Sequence, residues 1–508
     1  MSIMKSLFKN DPLVRGCPGP YSVGRSCVAR QMTAVVTLLL SVTSATAFEP
    51  EKAVPLTVEP AAAPKPALKY RLLPEVSELN PGNPVQFYLR CFAEQRNFFF
   101  GKESSAARAH YLAAPLAMLH VDQLRNYGGS ALTQADWAAR LDTPDWEVLR
   151  RVQNEGVGLI LPELGPLQLL AMSLQVRFRG QIAERHFDHA CATAKTMFAF
   201  ARHLGEHPTQ AGNLVGISVA HRALDAIQEM LQQPGCPNLY WALTDLPSPL
   251  VEVRKGIQGD CSMVAGEFRG LRDDAPMSRE QLEELVRRLS GTAGFAREQT
   301  GAAPESFRSR LGARVKNEAG VQAARERLTD PSSKDKLGQV SNSIPAILGA
   351  LVEACGRAEL VQKLPPAQVI LLDEKREYEL RRDEAVKLTS LTPWQIDAIT
   401  DGQPSKTSWD GLFKDLLPQV VKARRAQARV EQRIALLRHV EALRIYAAQH
   451  EGKLPRDLSE IRLPLPVDPF TGKPFEYSVS GTEGHIRGCP ARDDDDNANV
   501  SYRVTVTR

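Results

Sequence analysis

A chain of 508 residues with 43% hydrophobic and 24% charged side chains is too apolar to stay disordered. It is long enough for several domains or one extended helical array, and its 6% aromatic content favours helix over a strand-rich sandwich. Residues 1–47 hold five Lys/Arg and one Asp, and so account for the net charge of +4; the remainder carries 58 basic and 58 acidic groups. A neutral body has no global field for polyanions, which excludes nucleic acid as an expected partner.

Arg25 and Arg30 precede the apolar stretch from Ala34 to Val42, which is followed by Ala45-Thr46-Ala47. That order of basic, greasy and small residues is the one export machinery reads. The sixteen residues from Met32 to Ala47 fall short of the ~20 apolar residues a bilayer span takes. Residues 1–47 are therefore expected to be a signal peptide cut after Ala47, giving a periplasmic or secreted product. No later stretch is apolar enough for an integral span. Residues 48–67, with Pro50, Pro55, Pro60, Pro64 and Pro66, read as a linker. Beyond the leader stand Cys91, Cys191, Cys236, Cys261, Cys355 and Cys489, and no spacing among them selects a pairing.

Residues 68–275 read as a helical domain. It opens with Leu68-Lys69-Tyr70-Arg71-Leu72-Leu73-Pro74 and has an aromatic cluster at Phe98, Phe99 and Phe100 that suits helix packing. Leu167, Leu170, Ala171, Leu174, Phe178 and Ile182 follow the helical period, and so do Phe187, Ala190, Ala194, Met197, Phe198, Ala201 and Leu204. Gly205 and Pro208 end that second run, and a third covers 214–231, giving antiparallel hairpins with short turns. Phe187-x-x-Ala190 after a turn weakly resembles a tetratricopeptide repeat, with Arg185 where the turn glycine usually stands. Tyr240 and Trp241 are candidates for a partner surface, or else rings in a rigid corner. Residues 276–337 mix both signs of charge, as a solvated helical connector does. Residues 338–450 are helical again. The last helix is expected over 420–449, with Lys422, Arg424, Arg425 and Arg429 as a basic cluster at its start.

Residues 451–508 change character, with alternating strands around 475–479 and 501–507. Leu443-Arg444-x-Tyr446, Gly452-x-x-Pro455 and Asp468-Pro469-Phe470-Thr471-Gly472-Lys473-Pro474-Phe475-Glu476-Tyr477 resemble the C-terminal half of type II secretion pseudopilins. That resemblance implies a small C-terminal α+β module and, as one functional alternative, a secretion- or pseudopilus-associated component. The opening at Leu68, the Leu239-Tyr240-Trp241-Ala242-Leu243 segment and this ending also resemble an uncharacterised family of exported bacterial helical proteins, which implies the envelope.

Two clusters could carry chemistry. His203-Leu204-Gly205-Glu206-His207 matches H-x-x-E-H, in which both His bind zinc from one helical face and Glu activates water. That geometry needs an unbroken helix, which Gly205 and Pro208 argue against. Asp493, Asp494, Asp495 and Asp496 offer hard oxygen donors for Ca²⁺, although a like-charge run is equally a solvated loop. The sequence thus describes a mainly α protein of helical hairpins with a small C-terminal α+β module. Its leading function is a non-enzymatic scaffold or interaction protein that meets other envelope proteins and has no cofactor; the alternative enzyme is a metal-dependent hydrolase centred on His203, Glu206 and His207.

Overall fold

A computed structural model describes residues 53–300, 306–330, 356–400, 409–488 and 500–507. The expected signal peptide with its cut after Ala47, the Asp493, Asp494, Asp495 and Asp496 run, Cys355 and Cys489 lie outside the described residues. The chain is mainly helical, with a small four-stranded sheet built largely from its C-terminal end. It begins with strand β1 (Val54–Val58), followed by helices α1 (Pro84–Glu94) and α2 (Gly129–Ala138). Asn83 caps α1 by accepting from the Val85 N–H, and Pro84 takes the first helical position, where no amide donor is needed.

Three long helices form the centre: α3 (Leu164–Ala183), α4 (Phe187–Gly205) and α5 (Gln210–Leu231). Leu167, Leu170, Ala171, Leu174, Phe178 and Ile182 are all buried, as their spacing predicts, and each large side chain contributes about 1.5–3 kcal/mol. At the α3–α4 turn Arg185 has a φ of 59°, the left-handed conformation glycine adopts most readily. The α4–α5 turn closes around Thr209, whose hydroxyl accepts from the Gly212 N–H.

A second core follows. It is made by α6 (Arg254–Glu267), α7 (Arg279–Thr300), α8 (Phe307–Lys316), α9 (Glu318–Thr329) and α10 (Pro366–Val386). Phe268, Tyr378 and Phe413 meet edge to face or tilted, with Leu285, Leu289, Leu311, Leu328 and Val369 buried around them. The stretch read as a solvated connector is thus half core. Its charges sit on the outer faces or are paired across helices: Arg327 grips Asp373 through two bonds of 3.0 and 2.6 Å, and Arg314 pairs with Glu374. Arg310, expected on the solvated face, is buried and donates to the Asp410 and Gly411 carbonyls.

The last helix, α11 (Val420–Gln449), has the limits its sequence suggests. Two members of the basic cluster at its start are spent on the fold, while Lys422 is exposed. Arg424 is buried and donates to the Leu391 carbonyl at 2.9 and 3.1 Å, and Arg425 pairs with Asp397 at 2.9 Å. Beyond α11 come β2 (Glu476–Ser480), β3 (Glu483–Arg487) and β4 (Ser501–Val506). The sheet order is β1-β4-β3-β2. β1 runs parallel to β4, placing Val54 opposite Tyr502 and Val58 opposite Val506, and the other two pairings are antiparallel.

The 48–67 stretch therefore supplies an edge strand, and its reading as a linker is corrected. Pro55 fits there because an edge strand has one side on which no amide donor is required. It follows that the C-terminal module is completed by residues from the other end of the described chain.

One buried ion pair ties these pieces to α11. Arg444 and Glu441 are fully buried and 2.9 Å apart. The Arg444 guanidinium also donates to the Glu59 carbonyl just after β1 (2.9 Å) and to the Cys236 carbonyl (2.7 Å), and the Arg444 carbonyl accepts from the Ala61 N–H. Glu441 accepts from the Leu239 N–H at 2.9 Å and from the Asn238 amide at 2.5 Å. Breaking a buried pair strands the surviving charge, at a cost of about 3–5 kcal/mol. Arg444→Ala is therefore expected to lower the unfolding free energy by about that amount in urea denaturation. A loss below about 1 kcal/mol would contradict the clamp.

Candidate functional site

The H-x-x-E-H residues do not converge. Helix α4 ends at Gly205, so Glu206 lies beyond the last turn and reaches the Lys255 ammonium on the surface at 3.3 Å. His203 is buried, and its Nδ1 hydrogen-bonds the Tyr88 hydroxyl at 2.9 Å. His207 is fully buried with its Nδ1 2.9 Å from the Thr209 hydroxyl and its ring tilted against Trp146. The turn is a packed corner. A Cβ on Gly212 would stand 2.2 Å from the His207 ring, and one on Gly259 1.9 Å from the Pro208 carbonyl oxygen, so α5 and α6 close on the turn through glycine. Burial pushes the His203 imidazole down to about 4 and that of His207 down to about 3, so both are neutral structural groups at pH 7. Among the described residues no three His, Cys, Asp or Glu side chains are grouped as a metal site.

The partner-surface reading of Tyr240 is corrected as well. Tyr240 is fully buried and donates its hydroxyl to the Pro464 carbonyl at 2.6 Å, joining the central helices to the C-terminal module. Trp241 packs edge to face on it and is half-buried. The pair is a corner, and its position against the Glu441 clamp explains why aromatic bulk is needed there.

A cleft of about 600 Å³ lies elsewhere, between residues 69–78, the end of α2 and the facing sides of α3 and α4. That volume falls within the range of small-ligand sites. The opening residues Lys69, Tyr70, Arg71 and Pro74 form one wall. The floor is a set of locked charges. Arg177 of α3 clamps Asp136 of α2 through two bonds of 2.7 and 2.8 Å, and the Thr196 hydroxyl donates to the same carboxylate at 2.7 Å. Lys195 of α4 donates to both oxygens of Glu78 at 2.7 and 3.0 Å. Burial alone would raise the Glu78 carboxyl; bonds from Lys195 and the Glu75 N–H outweigh it and hold the group below its usual range. Thr193 donates to Gln181, and Arg71 pairs outward with Glu75 and Asp245.

Along the upper edge, the Lys69 ammonium lies 5.0 Å from the centroid of the Tyr70 ring, a neighbour that holds it above its usual range, while burial raises the Tyr70 phenol. His189 lines the cleft, and its ring meets that of His186 edge to face. Cys191 is buried in the wall, and burial pushes its thiol up to about 12, far from the thiolate a nucleophile needs. At the mouth Trp137 remains 51% exposed. Arg140, two residues past the end of α2, also lines the cleft, and its guanidinium makes no hydrogen bond or ion pair among the described residues.

The sequence reading did not single out this cleft. Only the Leu68–Pro74 opening stood out, as part of a resemblance; Asp136, Arg177 and Lys195 sit on three helices with no local pattern to join them. Comparison with family models, with curated proteins and with solved structures finds no match.

The buried imidazoles make a pH prediction with a definite sign. A histidine held neutral in the fold but free to protonate near 6.5 when unfolded stabilises the protein fully above that value and progressively less as the pH falls towards its folded value. For His203 this window runs from about 6.5 to about 4. His203→Gln is expected to make stability less steep in pH across it, by up to about 1.4 kcal/mol per unit. The imidazole resonances of His203 and His207 are expected to stay at their neutral positions at pH 5 in NMR; protonation of both by then would contradict the burial argument.

Proposed function

We propose that the chain is a helical binding scaffold of the bacterial cell envelope, and that the cleft between residues 69–78, α2, α3 and α4 is where it receives its partner. The observation that carries this reading is the state of the cleft's charged groups. Asp136 with Arg177 and Glu78 with Lys195 neutralise and orient one another. General acid–base work calls for a group poised to give or take a proton near neutral pH. Mutually engaged pairs serve a different end: they hold a surface in one shape, which lowers the ordering cost of binding. The exposed Trp137 and Arg140 supply what the floor does not, an anchor ring and a guanidinium without an ion pair of its own. Envelope placement rests on the order of basic, apolar and small residues before Ala47 and on the pseudopilin-like C-terminal motifs. The dispersal of His203, Glu206 and His207 over a buried corner and the surface favours this reading over the hydrolase.

Site-specific photocrosslinking tests it. A benzoylphenylalanine at position 192, an exposed alanine that lines the cleft, is expected to give an adduct in envelope fractions under ultraviolet light. The same group at position 380, an exposed leucine on α10, is expected to give none. No adduct at 192, or equal labelling at both positions, would overturn the proposal.

A further inference from the structure

We infer that the cleft accepts a sugar ring bearing one carboxylate, with the ring face on Trp137 and the carboxylate on Arg140; this rests on the scaffold reading above and names its ligand. Three features narrow the chemistry. The first is charge. Arg177 and Arg71 are paired with carboxylates, and Lys69 lies over the Tyr70 ring with Asp188 on the same wall. Lys195 and Arg140 both act on the one carboxylate of Glu78, which Lys195 already grips through both oxygens, so the Arg140 guanidinium has no ion pair of its own and one positive charge is in excess there. That guanidinium suits one carboxylate, which it can bind through two parallel N–H donors.

The second is the apolar content. Among the described residues no Leu, Ile, Val, Phe or Met side chain lines the cleft; its apolar surface comes from Trp137, Tyr70, Pro74 and a few small residues. A protein partner anchored by a large aliphatic side chain would find no aliphatic pocket there, and no described strand lines the cleft to pair with an extended peptide. A sugar needs neither, because it offers one flat C–H face and a polar rim. Trp137 is the flat partner for that face.

The third is the rim itself. Gln181 accepts from Thr193, and its amide donors are engaged by no other described group; Thr133 and His189 add short polar side chains at the same opening. Planar amide and imidazole groups at fixed positions suit ring hydroxyls, and the ion-paired floor beneath them supplies the rigidity that a small polar ligand requires. A carboxylate can come from a uronic acid or from an acidic side arm of an amino sugar, and both present the same group to Arg140.

Isothermal titration of the purified full chain distinguishes these sources. The probes are a galacturonate disaccharide, an N-acetylmuramate-containing disaccharide and the neutral N,N′-diacetylchitobiose. At least one acidic sugar is expected to bind about tenfold or more tightly than the neutral one, the difference a charge-assisted pair supplies. Arg140→Gln is expected to erase that preference, and Trp137→Ala to weaken all binding about tenfold or more. Both side chains are exposed, so the thermal midpoint of each variant should match the parent. Failure of both acidic sugars to bind, or an unchanged preference in Arg140→Gln, would overturn the inference. If position 192 still crosslinks to a protein while neither sugar binds, the sugar assignment fails and the scaffold reading stands. If it crosslinks to nothing and neither sugar binds, both fail.

Discussion

Glu441 and Arg444 lie one helical turn apart on α11, out of reach of solvent, and from there they hold parts of the chain that are otherwise far apart in sequence. Removing two charges from water costs several kcal/mol each, and their mutual attraction alone does not reliably recover it. What makes the arrangement stable is the use of the remaining hydrogen-bonding capacity. Arg444 satisfies the carbonyls of Cys236 and Glu59, while Glu441 takes the Leu239 amide and the Asn238 side chain. The Cys236 carbonyl and the Leu239 amide are buried, where a polar group without a partner is costly. The pair thus fixes where the turn after α5 meets α11 and where β1 enters the sheet. Tyr240, held next to that turn, then reaches across to the Pro464 carbonyl and fastens the C-terminal module.

The cleft uses the same device in a more open setting. Asp136–Arg177 and Glu78–Lys195 join α2, α3, α4 and the opening segment through bidentate contacts, which constrain orientation as well as distance. Partly exposed pairs of this kind contribute little net stability. Their effect is geometric: they keep polar side chains in place around a space that apolar packing would have closed. Below them, Thr196 and Thr193 connect that floor to α4, whose other face belongs to the main core. Such support is consistent with the proposed scaffold, because a surface held in one shape needs little rearrangement on binding.

The helices were legible because their apolar residues repeat at the helical period: the stripe from Leu167 to Ile182 is buried as read, and α11 has the limits its sequence suggests. The end of α4 at Gly205 was legible for a backbone reason, glycine followed by proline, and it dissolves the H-x-x-E-H geometry. Long-range partners were not legible. Arg444 stood out as part of a motif, but the groups it holds lie 208 and 385 residues away. β1 was hidden by Pro55 and by the prolines on either side of the strand, a pattern compatible with an edge strand as well as with a linker. The connector misled because its charges outnumber its core residues, although Leu285, Leu289 and Leu311 are enough to bury one face. Tyr240 looked like an anchor for a partner because an aromatic corner and an aromatic contact surface share a composition, and only burial separates them.

The dependence of the whole arrangement on the α11 pair is tested most directly by native-state hydrogen exchange. In the parent protein the sheet-bonded amides of β1 and β4 and the Leu239 amide are expected to exchange together, and only through an opening as large as that which exposes α11. In Glu441→Gln the same amides are expected to lose protection as a group while those of α3 and α4 keep theirs. Fast exchange of those sheet-bonded β1 amides in the parent, or unchanged protection in the variant, would show that the strand and the turn are held by something other than the buried pair.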